Sequence, residues 1–294
     1  MNVPVELNGA GRATPAEFDT AVVMAQAGRE NFPVATRLLP CRLREQLLAI
    51  YGYARFVDDI GDRGPGDRLA GLDWVESELD RALTGAAAQP IFVRVGRLAQ
   101  ELGIDRAPFV DLIEANRQDQ LVTRYPTYAA LEAYCSLSAN PVGRLVLAVF
   151  GRRDERAVEL SNRVCTALQL IEHFQDVAED FAAGRVYLPQ EDLARFGLDE
   201  SAIAAGFATP AFRRLIAFEC ARARRLLESG RVLVASLQGW GRVGVAGFVG
   251  GGFAQLDAIE RHRFDVLSSS VKASKTEVAW RSLLVYSAAR RERP

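Results

Sequence analysis

The sequence has 294 residues, 49% of them hydrophobic and 25% charged, with a formal net charge of −1. This ordinary globular balance lacks the basic excess of a nucleic-acid binder, so no nucleic-acid partner is expected. Two histidines and four scattered cysteines (Cys41, Cys135, Cys165 and Cys220) leave little material for a zinc site or a serine-type triad; reduced, buried thiols in the cytoplasm are expected instead of disulfides.

The first dozen residues read as a flexible arm, and Thr14-Pro15-Ala16-Glu17 then reads as a capping box with proline at the first helical position. From there apolar residues recur at helical spacing and predict helices over 15–29, 41–61, 67–84, 90–102, 106–121, 127–137, 141–150, 154–182, 209–237, 240–264 and 276–291. Breakers fall at 61–66, 86–90, 151–154 and 184–189. Alternating strand patterns are nearly absent. The expected fold class is all-α, with a single domain over 1–294. No apolar run reaches the ~18 residues of a membrane span; the closest, 243–253, holds five glycines. A soluble protein is expected, with at most a peripheral contact at the inner face of the membrane.

Two helical stretches carry the chemistry. Within 41–61, Tyr51, Arg55, Asp58 and Asp62 share a face at spacings of three and four, with Asp59 beside them. Within 154–182, Gln169, Glu172 or His173, Asp176 and Asp180 repeat the pattern amid apolar Leu168, Ile171, Phe174, Val177 and Phe181. Solvated acidic faces are the plain alternative. Against it, like charges four residues apart repel by a few tenths of a kcal/mol. Both clusters also sit in the most apolar stretches of the chain, where an unpaired buried carboxylate costs several kcal/mol. A divalent cation answers both points, because magnesium prefers oxygen ligands from a few carboxylates plus substrate phosphates. Asp58, Asp59, Asp62, Asp176 and Asp180 are therefore the candidate ligands for Mg2+, two aspartate pairs on facing helices clamping a diphosphate. Arg55 would stabilise the charge that develops as a carbon–oxygen bond breaks. The carbocation left behind needs a dry apolar cavity with aromatic faces.

The paired motifs Asp58-Asp-Ile-Gly-Asp62 and Asp176-Val-Ala-Glu-Asp180 resemble the two DxxxD signatures of the squalene and phytoene synthase family. Ala167-Leu-Gln-Leu before the second motif and Gly184-Arg-Val-Tyr-Leu-Pro189 after it strengthen the likeness, which runs from about Glu30 to Leu283. The resemblance implies the isoprenoid synthase fold, helices around a central active-site cavity with the aspartates at its mouth. Glu30–Pro40 and Ser138–Leu147 are similar to the bacterial branch that forms hydroxysqualene. That likeness implies presqualene diphosphate as substrate and water capture of its cation, without a nicotinamide cofactor. Functional partners would be a presqualene diphosphate synthase and a squalene-forming reductase. Condensing relatives usually carry asparagine at the position of Glu172 and a small or apolar residue at that of His173. Glu172 could then ligate magnesium or hold the quenching water, and His173 could contact substrate or be a hydrogen-bonded helix histidine without a chemical role.

The resemblance also places Phe32 near the prenyl chain and Tyr51 near the diphosphate, with Tyr53 and Phe56 read as packing. Gln169, one turn before Glu172, would face the diphosphate or ordered water. Arg185 and Tyr187 follow the second motif in a segment that could close over the diphosphate. Lys272 and Lys275, the only lysines of the chain, suit a diphosphate-binding flap or an ordinary exposed pair. Asn140 either caps a helix or presents its amide to the cavity. The glycine-rich stretch 239–252 reads as a wall that admits bulky hydrocarbon, with a phosphate-cradling loop as its rival. Two other functions fit the chain: a synthase that couples two prenyl diphosphates head to head, and a non-catalytic assembly or lipid-binding relative.

Overall fold

A computed structural model of the chain describes residues 39–63 and 66–291. The arm, the Thr14 capping box, the helix expected over 15–29 and Phe32 lie outside the described residues. Among those described, every regular element is a helix, and the sole β feature is an isolated parallel bridge between Arg124 and Val186. The chain divides into two compact units, Met1–Leu121 and Val122–Pro294.

The first unit contains α1 (Cys41–Arg63), α2 (Arg68–Leu83), α3 (Pro90–Leu102) and α4 (Ala107–Asp119). Asp67 caps α2 by accepting from the amides of Leu69 and Ala70, Pro90 opens α3, and Gly103 closes it in the left-handed conformation. The inner face of α1 brings Leu47, Ile50, Tyr53, Phe56, Val57 and Ile60 into a core with Phe92 and Phe109. Each such side chain contributes about 1.5–3 kcal/mol by leaving water. Tyr53 and Phe56 are packing residues, as their positions suggested. Both meet Phe92 edge-on, and the Tyr53 hydroxyl donates to the Phe109 carbonyl at 3.0 Å. With the apolar face turned inward, the face that bears Arg55, Asp58, Asp59 and Asp62 is left partly or fully accessible.

The second unit contains α5 (Tyr128–Ser138), α6 (Asn140–Val149), α7 (Glu155–Gln175), α8 (Val177–Ala182), α9 (Gln190–Arg195), α10 (Ser201–Ala204), α11 (Pro210–Gly230), α12 (Val232–Ser236), α13 (Gly239–Arg261) and α14 (Lys275–Arg291). Side-chain oxygens of Thr127, Asp154 and Thr209 cap α5, α7 and α11. Ser274 and Glu277 form a capping box on α14, each accepting from the other's amide. Helix α7 packs on α6, α11 and α13, and α13 packs on α14.

Two expected helices are each divided. The 154–182 stretch breaks at Asp176, whose φ of −101° and ψ of 17° leave the helical region while its side chain accepts from Gln175 Nε2 at 2.8 Å. A short polar side chain that bonds its own neighbourhood competes with the helix ladder. The 209–237 stretch turns at Arg231, between α11 and α12. The glycines of α13 serve helix packing. A Cβ on Gly250 would collide with the backbone of Ser282 in α14, and one on Gly252 would lie 2.8 Å from Leu168 and 2.9 Å from Leu227. This stretch is continuous helix, not a phosphate-cradling loop, and a Cβ on Gly247 would meet nothing within 4 Å.

Candidate active site

In the first unit the two accessible turns at the end of α1 form one carboxylate group. Asp58 accepts a hydrogen bond from Asn116 Nδ2 at 3.0 Å, and the same amide group donates to the Leu112 carbonyl at 3.1 Å, which fixes its orientation. Asn116 reaches α1 because Gly61 has no side chain: a Cβ there would collide with Asn116 Oδ1. Gln120 adds a second tie, donating to the carbonyls of Gly61 and Asn116 at 3.0 Å each. Arg55 pairs with Asp59 at 3.1 Å. Asp58 keeps solvent-accessible surface, yet protein crowds its carboxylate enough that lost hydration pushes its pKa up to about 6. Asp62 and Asp59 add to that rise, while Asn116 and Arg55 oppose it. The accessible area lets a ligand reach the carboxylate, and the poor hydration gives it reason to bind a cation. Tyr51 is buried on the same helix.

In the second unit α7 and the break after it gather most of the downstream candidates. His173 is buried, and its ring stacks on that of Tyr187 at 3.8 Å between centroids and 13° between planes. Gln169 Nε2 lies 3.1 Å from His173 Nε2. An amide nitrogen only donates, so His173 Nε2 accepts and the ring proton sits on Nδ1, which lies 3.9 Å from Asp180 Oδ2. Gln169, His173 and Asp180 therefore form a polar line that ends on the second motif. Glu172 turns to solvent on the next face of α7. Asp176 is raised above the usual carboxylate range by burial first, then by Glu179 and Asp180; Gln175 and Lys272 act in the opposite sense. Lys272 is thus close enough to act on the motif electrostatically, whereas Lys275 stands exposed at the start of α14. Asn140 is the first residue of α6 but does not cap it; its Oδ1 accepts from Thr166 Oγ1 at 3.1 Å, linking α6 to α7 in the core.

The segment that carries Arg185 and Tyr187 is held along its length. The Arg185 amide donates to Asp180 O at 2.8 Å, Val186 to Thr123 O at 2.9 Å and Gln190 to Tyr125 O at 2.9 Å, while Arg124 Nη1 donates to Gly184 O at 2.5 Å. Tyr187 is enclosed by Tyr125, Tyr134 and His173.

Sequence reasoning missed the supporting residues. Asn116 and Gln120 stand one turn apart in Glu114-Ala-Asn-Arg-Gln-Asp-Gln120, an unusually polar helix end that was the available signal. Gln255 donates to Val271 O at 2.6 Å and accepts from the Ala273 amide at 2.9 Å, fixing the backbone on both sides of Lys272. Nothing local in the sequence marks that contact across 16 to 18 residues.

Among the described residues no three histidine, cysteine or acidic side chains converge into a preassembled metal cluster. The donors on offer are carboxylate oxygens that carry poorly hydrated charge at Asp58 and Asp176. Such sets fit magnesium, which commonly takes one or two carboxylates and completes its shell with water and substrate phosphate.

The chain is similar to several known proteins. The family model described as squalene/phytoene synthase matches residues 25–277. The chain is 34% identical over 213 residues to a hydroxysqualene synthase of Rhodopseudomonas palustris, covering 71% of this chain and 72% of that one. It is also 34% identical over 186 residues to a presqualene diphosphate synthase of the same organism, covering 61% and 66%. Among solved structures it is similar to squalene synthase HpnC from Alicyclobacillus acidocaldarius, at 40% identity and a TM-score of 0.78 over 84% of this chain and 94% of that one. The helices adopt the all-α isoprenoid synthase fold. With both aspartate motifs on helices of that fold and the family match spanning them, the chain belongs to the squalene/phytoene synthase family and is one of its enzymes, acting on prenyl diphosphates.

Proposed function

We propose that the chain converts presqualene diphosphate and water to hydroxysqualene and diphosphate, with Mg2+ held by Asp58, Asp59 and Asp62 on α1 and by Asp176 and Asp180 at the α7–α8 break. The observation that carries this reading is the pair of poorly hydrated carboxylates, Asp58 and Asp176, one in each motif and each raised by its acidic neighbours. The choice of substrate is supported by the likeness to a hydroxysqualene synthase over 71% of the chain.

The substrate's carbon–oxygen bond to diphosphate breaks heterolytically, and both electrons leave with the diphosphate. Bound magnesium would supply charge neutralisation for that leaving group. Arg55, already oriented by Asp59, adds a fixed positive charge beside it. The cyclopropylcarbinyl cation rearranges, water adds to the resulting cation, and loss of one proton gives the alcohol. Glu172 is open to solvent on α7 one turn before Asp176, and we assign it the task of holding that water or taking its proton. Tyr51, Gln169, His173, Arg185, Tyr187, Asn140, Lys272, Lys275 and Phe32 complete the proposed substrate-side set, with Gln169 and His173 acting through Asp180.

A second reading, head-to-head condensation of two prenyl diphosphates, is favoured by the equal identity to a presqualene diphosphate synthase. Incubation of the purified protein with magnesium and no NADPH separates the two. Hydroxysqualene from presqualene diphosphate and no product from farnesyl diphosphate supports the first reading. Presqualene diphosphate or a C30 hydrocarbon from farnesyl diphosphate makes the protein a condensing synthase.

A further inference from the structure

Ten large apolar side chains stand exposed among the described residues, and six of them fall between Val232 and Leu284 in the second unit: Val232, Trp240, Val243, Trp280, Leu283 and Leu284. Helix α14 explains three. Its inner face packs Val278 and Ser282 against Gly251 and Gly250 of α13 and buries Ala289. Its outer face, at spacings of three and four, carries Trp280 and Leu283, 61% and 53% exposed, with Leu284 beside them. Arg290 and Arg291 lie exposed at the same helix's end. Along its flank runs a groove of about 690 Å³ that α14 forms with α11 and α13. Arg224, Arg225, Arg231 and Arg281 line it against a single acidic residue, Glu228, and Leu284 forms part of its wall. Arg224 and Arg281 share Asp257, and Arg225 stands exposed. On the other flank Asp257, Glu260 and Glu277 stand with Arg261 beside Trp280 and Leu284, so the excess of arginine lies on the side of Arg225 and at the helix end with Arg290 and Arg291.

We propose that this face of α14 docks on the surface of an anionic lipid bilayer. Trp280, Leu283 and Leu284 enter the boundary between headgroups and acyl chains, and Arg225, Arg290 and Arg291 meet lipid phosphates. Trp280 and Leu283 protrude from the helix, and a fluid surface closes around such side chains without a matching hollow. Tryptophan favours that boundary, and arginine lays its apolar stem along it while the guanidinium reaches phosphate. No described helix is long and apolar enough to cross a membrane, so the contact lies in the plane of the surface.

The full-length protein is sedimented with vesicles of phosphatidylcholine alone and of phosphatidylcholine with roughly one third phosphatidylglycerol. Binding is expected to the anionic vesicles and to fall as salt rises. Partition should drop at least about tenfold for the triple variant Trp280→Ser, Leu283→Ser, Leu284→Ser and for Arg225→Gln, Arg290→Gln, Arg291→Gln. Melting temperatures should hold, because these positions are exposed. Absence of vesicle binding, or equal binding by wild type and both variants, overturns the proposal. So does a concentration-dependent dimer that the serine variant dissolves, which makes a second copy the occupant. The test uses no diphosphate substrate and stands or falls apart from the reaction assigned above.

Discussion

At the scale of single residues, the strongest constraint outside the motifs is Glu219. It is fully buried on α11, and its Oε2 accepts from Arg222 Nη1 at 2.6 Å. The same guanidinium nitrogen donates to buried Asp192 Oδ2 at 2.8 Å, and the guanidinium carbon lies 4.1 Å over the Tyr128 ring. Two carboxyl groups thus share one cation, and burial pushes the Glu219 pKa up to about 8. Its unfolded value is about 4.3. The folded state therefore holds the proton more tightly, and the stability this gives is complete below about pH 4 and lost as pH rises through about 8. Relative to Glu219→Gln, the wild-type protein should lose melting temperature between about pH 4 and 8. The loss should be several degrees, since 1 kcal/mol moves a unit of 150–250 residues by roughly 2–4 °C. Parallel melting curves for the two proteins that do not diverge over this range would refute the assignment. His173 lends itself to a different dissection. His173→Phe keeps the stack on Tyr187 and removes the line from Gln169 to Asp180, so it should melt near wild type but require more magnesium for activity. His173→Ala also removes the ring packing and should cost about 2–4 kcal/mol of stability in a denaturant titration.

At the scale of elements, helix contacts turn on a few places where a side chain has been omitted. Gly250 is the sharpest case, because backbone atoms of Ser282, not the end of a flexible side chain, occupy the space of its Cβ. Alanine is the better helix former by roughly 1 kcal/mol, yet Gly250→Ala should destabilise by about 1–3 kcal/mol, because α14 must shift. Chemical denaturation measures the net sign, and a stabilised variant would show that the two helices are not held at this spacing. Helix limits were legible in the sequence, since Pro90, Gly103, Asp154 and Pro210 punctuate long periodic runs with residues whose backbone preferences are strong. The break at Asp176 was not, because apolar spacing continues through Val177 and Phe181 across it. The short helices α9 and α10 were missed for the opposite reason: four to six residues do not establish a period. The motif carboxylates stood out as charges in apolar surroundings, whereas Asn116 and Gln255 act on partners tens of residues or several turns away, which no local pattern records.

At the scale of the whole molecule, the proposed magnesium and diphosphate sites make stability depend on ligand. Magnesium with pyrophosphate at a hundredfold excess over its dissociation constant should add about 2.7 kcal/mol. A shift of melting temperature by roughly 4–5 °C follows from the size of the chain. Asp58→Asn and Asp176→Asn should each abolish most of that shift while melting no lower than wild type without ligand, because each removes a charge that the fold hydrates poorly. A full shift in both variants would separate the motifs from metal binding. The clasp of 123–126 on 184–190 bears on the molecule in another way. Two stretches about sixty residues apart in sequence are joined there by backbone hydrogen bonds over buried tyrosines, so the segment behind Arg185 is tied to a distant part of the chain. Any displacement of this segment would have to part those backbone bonds and the tyrosine stack beneath them, which ties its motion to that of residues 123–126.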